Sequence, residues 1–237
     1  MFEPQCMNSI WRDDDELFKI AKKELFVALV GDVLDSMGFI NQFLPPIIKP
    51  LQSHFVLIGR AMPVLGSDVY DESFENSHNP SLKKPFGIMF EALDSLKAGE
   101  VYICTAASSN YALWGGLMST RAIKLGATGA VLNGWSRDTI EIQNLDFPTF
   151  SFGGYSQDQK ARGKVIDFNI PIEFGGVKIH PGDIVYGDLD GVLIVPKESV
   201  KDAFAKAIDK ARKEKLVKIE LENGMSSADA FNKFGIM

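Results

Sequence analysis

This chain predicts an α/β fold with a C-terminal helical extension, on three observations. Residues 101–132 read as strand, Gly-rich loop, helix, strand, the pattern of a right-handed βαβ unit. Short apolar runs bounded by Gly and Pro recur between 147 and 195, as in HPGDIVYGDLDGVLIVP. Beyond Pro196 the apolar spacing turns helical, with Val200, Phe204, Ala207, Ile208 and Ala211 on one stripe.

Each element has its own signal. Asp13-Asp14-Asp15-Glu16 opens a helix over 13–22, where acids favour the dipole and Leu17, Ile20 and Ala21 share a face. VALVGDVLDSMG predicts a second helix over roughly 24–37, stopped by Gly38. Phe43-Leu44-Pro45-Pro46 is a loop, and 55–65 a strand in which Gly59 marks a bulge. Residues 67–84, rich in Ser, Asn, Asp and Pro, form a loop before a helix over 86–96. After the strand VYICTA comes a helix with Leu117, Met118, Ala122 and Leu125 inward and Gly126 as its C-terminal cap. Strands follow at 147–152, 164–169, 171–178, 183–187 and 191–195. No repeat or linker interrupts them. We therefore expect one domain over 1–237, with a core at about 24–196, the N-terminal helix 13–22 and the helical extension 197–237.

Composition narrows the function. With 46% hydrophobic and 24% charged residues, the chain can fill a core. A net charge of −6 without basic runs argues against nucleic acid as a partner. Residues 101–120 are broken by Thr105, Ser108, Ser109, Asn110 and Gly115-Gly116, too polar to span a membrane, and the start lacks a signal-peptide pattern. Two cysteines, Cys6 and Cys104, point to a reducing cytoplasm. His54, His78 and His180 stand in no zinc spacing, and no phosphate-binding glycine motif occurs.

The chemistry gathers after the apolar run Ala130-Val131-Leu132, in Ser136-Arg137-Asp138-Thr139-Ile140-Glu141. Ser136 reads as the N-cap of a short helix starting at Arg137, which places Asp138 and Glu141 on one face. They would stand just past the carboxyl end of a buried strand, where open α/β sheets bind ligands. One or two carboxylates with waters suit Mg²⁺, and an arginine fork suits a substrate carboxylate. Cation and arginine together suit a 2-oxo acid. The same residues also read as a plain helix start with a surface Arg–Asp pair. Gly115-Gly116 is likewise either a tight turn or a place where the N–H groups of Leu117 and Met118 meet an anion. Elsewhere, Asp188 and Asp190 in GDLDG fit a hairpin turn better than a calcium loop. Cys104 reads as core, His180 as a surface turn, Arg162 as solvent-facing or else a positive group near the site, and Trp135 as either packing or pocket wall.

Gly116, twenty intervening residues, Arg137-Asp138, two residues and Glu141 together resemble the G-x20-R-D-x2-E/D signature of the RraA-like family. That family holds the regulator of ribonuclease activity A and the class II 4-hydroxy-4-methyl-2-oxoglutarate aldolases, which also decarboxylate oxaloacetate. The resemblance spans about 24–196. It implies an αββα sandwich around a β-barrel-like core, and homotrimers, sometimes paired into hexamers, with active sites between subunits. It implies a metal-dependent lyase that yields pyruvate by retro-aldol cleavage or decarboxylation. By position, Asp138 would hold Mg²⁺ or Mn²⁺, with Glu141 partnering the metal's waters. Arg137 would bind the substrate carboxylate and stabilise enolate charge, and the backbone of Gly116, Leu117 and Met118 would bind the pyruvyl carboxylate. Asp32 would reach in from the neighbouring subunit as a catalytic acid. One departure stands out: the family's aldolases carry an acid where this chain has Gly116, and its regulators carry glycine. The alternative is therefore a non-catalytic regulator that docks on a protein such as an RNA-degrading enzyme.

Overall fold

A computed structural model describes residues 10–69 and 77–235; Cys6 and residues 70–76 of the expected loop lie outside them. The chain opens with helices α1 (Asp14–Glu24) and α2 (Val27–Ser36). Strands β1 (Lys49–Pro50), β2 (Leu57–Asp68) and β3 (Pro85–Ile88) lead to α3 (Met89–Asp94). Then come β4 (Glu100–Thr105), β5 (Ala112–Trp114), α4 (Gly116–Leu125), β6 (Gly129–Leu132), β7 (Trp135–Ser136), α5 (Thr139–Asn144) and β8 (Thr149–Ser151). The rest is β9 (Gly163–Phe168), β10 (Ile172–Phe174), β11 (Val177–Ile179), β12 (Ile184–Gly187), β13 (Val192–Val195), α6 (Val200–Glu222) and α7 (Ser227–Phe234).

The main sheet runs β1-β8-β6-β4-β2-β12-β13, with β9 joined to β2 and β3. Its middle, β2-β4-β6-β8, is parallel, and the β12–β13 hairpin adds antiparallel strands at one edge. The segment before β1 nearly closes the sheet on itself: Phe43 bridges Leu193 of β13, and Lys49 pairs with Ser151 of β8. Strand residues alternate between two buried faces, as covered parallel strands do. Val101 and Ile103 of β4 point into the barrel with Val131, Phe150 and the β10–β11 hairpin. Tyr102 and Cys104 point outward, under α3 and α4. On the other flank α1, α2 and α6 cover Ile58, Ile184, Tyr186 and Val195. The result is an α/β fold with helices on both sides of a nearly closed barrel-like sheet, plus C-terminal helices.

Local chemistry explains some element ends. Asp13 caps α1 by accepting the Glu16 N–H at 2.9 Å, and α4 ends on Gly126 at φ +80. All five residues of the predicted α6 stripe are buried.

Four local expectations change. Gly59 is no bulge, since its pairing with Val185 is regular; the register shifts at Leu65/Gly66 instead. Gly59 is a close-approach position, where a β-carbon would lie 2.6 Å from the Gly99 carbonyl oxygen. Residues 85–88 are strand rather than helix, because Gly87 at φ +66 sets its backbone against Val165. The expected strand 171–178 is two strands, folded at Gly175-Gly176, whose positive φ values suit a two-residue hairpin loop. Of the expected 67–84 loop, Ser67 and Asp68 extend β2, and Pro80–Lys83 form one 3₁₀ turn.

Candidate functional site

Strands β4 and β6 run side by side to Cys104 and Leu132. Past their carboxyl ends the chain forms a second small parallel sheet, β5 with β7. This sheet brings two distant segments together: the Arg137 N–H donates to the Trp114 carbonyl at 2.9 Å. Trp114 is itself fixed, stacked on Phe147 and donating from Nε1 to Ser119 Oγ at 2.7 Å. Gly115-Gly116, opening α4, and Arg137-Asp138, opening α5, therefore face each other across this seam.

Ser136 does not cap the helix as expected. It belongs to β7 and is buried, its hydroxyl 3.2 Å from both Ser151 Oγ and the Gly153 carbonyl oxygen. The N-cap is Asp138, in the left-handed region at φ 56, ψ 38, and α5 begins at Thr139. Asp tolerates that conformation at a cost on the order of 1 kcal/mol, which the surroundings must offset. They do so across the seam: Asp138 Oδ2 leaves its own helix uncapped and accepts the Gly116 N–H at 3.1 Å. The Leu117 and Met118 N–H groups, next in the first turn of α4, have no acceptor among the described residues. Leu117 is not core as expected; it is 82% exposed, while Gly116, Ser119 and Ala122 form the buried side of α4.

Glu141 returns to the same backbone from α5. A β-carbon built on Gly116 would overlap its Cδ and Oε2, so the carboxylate lies against the bare α-carbon. Its neighbour Gly115 faces Asp138 instead, and a β-carbon there would stand 2.7 Å from Oδ2. The two glycines thus admit the two carboxylates.

Arg137 and Asp138 line a cleft of about 250 Å³, at the small end for ligand pockets. Asp138 also borders two shallower hollows, one of which Glu141 lines. Two polar residues in the cleft lack any pattern in the sequence: Asp158 and Gln159 sit in an irregular polar loop. Asp158 Oδ1 lies 3.0 Å from Arg137 Nη1, while Arg137 Nε lies 3.8 Å from Asp138 Oδ2. Arg162 braces that loop through the Asp158 and Lys160 carbonyls rather than lining the cleft. Trp135 packs on Phe152 and Tyr155 and donates to the Ser109 carbonyl at 2.9 Å. Asp32 is elsewhere on the chain, on α2, paired with Lys210 at 2.7 Å and two-thirds exposed.

Beneath the seam Cys104 is buried, its thiol pushed up to about 12 by desolvation. It is packing, as expected. His180 sits in the turn before β12, with its N–H on Asp183.

The donors suit one kind of cation. Among the described residues no three His, Cys, Asp or Glu side chains converge. Two carboxylates on a glycine backbone, open to water, fit Mg²⁺ or Mn²⁺, which keep several waters; zinc takes three or four protein ligands, His or Cys among them.

A Halalkalibacterium halodurans protein named "Putative 4-hydroxy-4-methyl-2-oxoglutarate aldolase" is 32% identical over 179 residues, 75% of this chain and 76% of that protein. Protein DlpA of Legionella pneumophila is 27% identical over 205 residues; these are 86% of this chain but 31% of DlpA. In structure, Streptomyces coelicolor RraAS2, described as an unusual member of the RNase ES inhibitor RraA protein family, superposes with a TM-score of 0.76. At 18% identity, over 89% of this chain and 100% of that one, it shares the fold. No helix among the described residues is long and apolar enough to cross a membrane. The RraA-like family, described as Aldolase/RraA, matches residues 27–194, and the chain belongs to it.

Proposed function

We propose that this chain is a divalent-metal-dependent lyase acting on a small 2-oxo acid. It would release pyruvate by retro-aldol cleavage of a 4-hydroxy-2-oxo acid or by decarboxylation of oxaloacetate. One observation carries the reading: Arg137 and Asp138 line one cleft, and Asp138 holds a left-handed backbone with its carboxylate on the Gly116 N–H. Left-handed strain at a non-glycine residue concentrates at functional sites.

Each residue has a task. Asp138 would hold Mg²⁺ or Mn²⁺, with Glu141 orienting its waters from beside Gly116. Such a cation, when bound, supplies Lewis-acid polarisation of the keto oxygen. Arg137 keeps one nitrogen on Asp158 and offers its remaining donors to the substrate carboxylate, stabilising charge as it develops. The Leu117 and Met118 N–H groups donate to the same carboxylate at the positive end of α4. Asp32, paired with Lys210 away from this chain's own cleft, would serve a neighbouring copy in a homotrimer or hexamer.

Pyruvate release from oxaloacetate and from 4-hydroxy-2-oxoglutarate, with Mg²⁺ supplied, tests the proposal. Asp138→Ala should abolish it; turnover at the wild-type rate would place the chemistry elsewhere. The rim favours a second reading. Leu117 at 82% and Ile140 at 75% exposure offer apolar surface to a protein partner. No pyruvate from any substrate, with specific capture of an RNA-degrading enzyme, would establish a regulator instead.

A further inference from the structure

Gln159 lines the cleft beside Asp158, yet its side-chain amide makes no hydrogen bond among the described residues. The residue is only 5% exposed, so the amide is largely withdrawn from water as well. It is not sealed in. Among the described residues the enclosed side-chain atoms without a partner are Tyr102 Oη and Ser108 Oγ, and the Gln159 amide is not one of them. The space that this amide reaches is therefore that of the cleft it lines.

Its backbone is pinned. The Gln159 carbonyl accepts the Arg162 and Gly163 N–H groups, both at 2.9 Å, and Ala161 in the same turn holds a left-handed φ of +64. Two residues earlier, the Gln157 carbonyl accepts the Ala112 N–H of β5 at 2.8 Å. Asp158, between them, is held on Arg137. An amide withdrawn from water on a fixed loop, with donor and acceptor both unmade, calls for a partner. With so little of the residue exposed, that partner has to enter through the cleft, which suits a small molecule better than the surface of another chain.

We propose that Gln159 is a specificity-determining residue whose amide binds a hydroxyl of the substrate, so that the chain prefers a hydroxylated 2-oxo acid to oxaloacetate. The inference rests on the proposed function, which supplies the 2-oxo acid. The chemistry of the amide chooses the hydroxyl. An amide offers an acceptor oxygen and a donor nitrogen, and a hydroxyl both donates and accepts. A carboxylate only accepts; it would engage the nitrogen and leave the amide oxygen unpaired. A substrate without the hydroxyl leaves the whole amide unpaired, and sites built to bond a hydroxyl discriminate strongly against such analogues.

In retro-aldol cleavage the C4 hydroxyl is the group that reacts. For 4-hydroxy-2-oxoglutarate its proton leaves as C4 becomes the carbonyl of glyoxylate. The C3–C4 electron pair passes to C3, which takes a proton to give pyruvate. The amide holds the hydroxyl in place and takes no proton itself.

Pyruvate release with Mg²⁺ compares 4-hydroxy-2-oxoglutarate with oxaloacetate, in the wild type and in Gln159→Met, which keeps the side chain's length without its amide. The wild type should show at least tenfold higher kcat/KM for the hydroxylated substrate, and in the variant that ratio should fall at least tenfold. A wild-type ratio near one, or a ratio that Gln159→Met leaves unchanged, overturns the inference and leaves the lyase standing. Pyruvate from neither substrate defeats the lyase, and calorimetry with Mg²⁺ then decides the rest. Binding of 4-hydroxy-2-oxoglutarate at least tenfold tighter than 2-oxoglutarate, lost in Gln159→Met, upholds the amide's role without the chemistry. Equal binding of the two compounds, or of neither, overturns that role as well.

Discussion

Gly116→Ala separates what the glycine does for the fold from what it does for the site. An alanine β-carbon would overlap Cδ and Oε2 of Glu141 and come within 2.8 Å of Oε1. The obstacle is the far end of a flexible side chain, not backbone, so Glu141 swings aside and the helix stays. Gly116 opens α4, where alanine is favoured over glycine by about 1 kcal/mol in helix propensity. Stability should therefore hold or rise by up to about 1 kcal/mol, a Tm gain of about 2–4 °C for a chain of this size. The evicted carboxylate no longer orients groups beside Asp138, a kind of loss that costs about 10–100-fold in metal affinity or activity. The assay is thermal unfolding, Mg²⁺ titration and pyruvate release on the same preparations, with Glu141→Ala and the double variant. Once Glu141 is truncated, Gly116→Ala should add little further loss, because both changes remove one carboxylate from one place. A Tm drop of several degrees with full activity would show that Glu141 does not occupy that position.

Other substitutions probe the scaffold. Gly163→Ala makes the same change with the opposite neighbour: its β-carbon would overlap the buried Tyr111 ring, whose hydroxyl bonds Asp68 at 2.9 Å. Overpacking should cost about 1–3 kcal/mol by denaturant unfolding, and an unchanged midpoint would contradict the packing. Asp188→Ala removes the acceptor of the Val27 N–H at 2.8 Å and the Asp190 N–H at 2.9 Å, and should cost about 1–2 kcal/mol by the same measurement. Burial raises Cys104 to about 12 and also holds Tyr102 and Tyr186 neutral well above their ordinary range. The unfolded chain releases these protons from about pH 8.5–10 upward while the fold keeps them, so stability is full below that window and falls as pH rises through it. Comparing unfolding midpoints at pH 7 and pH 10 checks this, and Cys104→Val should show the smaller drop.

What could be read from the sequence was what local chemistry decides. The acidic start of α1, the Gly126 cap, the GDLDG hairpin and the apolar stripe of α6 need only neighbours in the chain, and each stands where its spacing put it. The pairing of Arg137 with Asp138 was legible as a motif. How Asp138 is held was not, because that depends on β5 lying beside β7, a pairing about twenty residues apart that no periodicity marks. The same pairing drew Ser136 into a strand and so moved the cap to Asp138. Leu117 looked inward by spacing, yet the buried side of α4 is set by Ala122 and the small residues Gly116 and Ser119. Asp158 was invisible for a plainer reason: a loop without period gives no sign of which side chain turns back to meet an arginine.

The carboxylate of Asp188, held in the turn between the last two strands, meets the start of α2 from 161 residues away. Synthesis therefore delivers the helix long before its seat. Val27, Val30 and Leu34 pack on Leu193, Val195 and Phe204, none of which exists when they leave the ribosome. At about 5–20 residues per second the wait is roughly 8–30 s, during which an apolar helix stands bare in the cell. Nascent chains halted before residue 188 should hold that surface open to chaperones, and adding the final hairpin should close it.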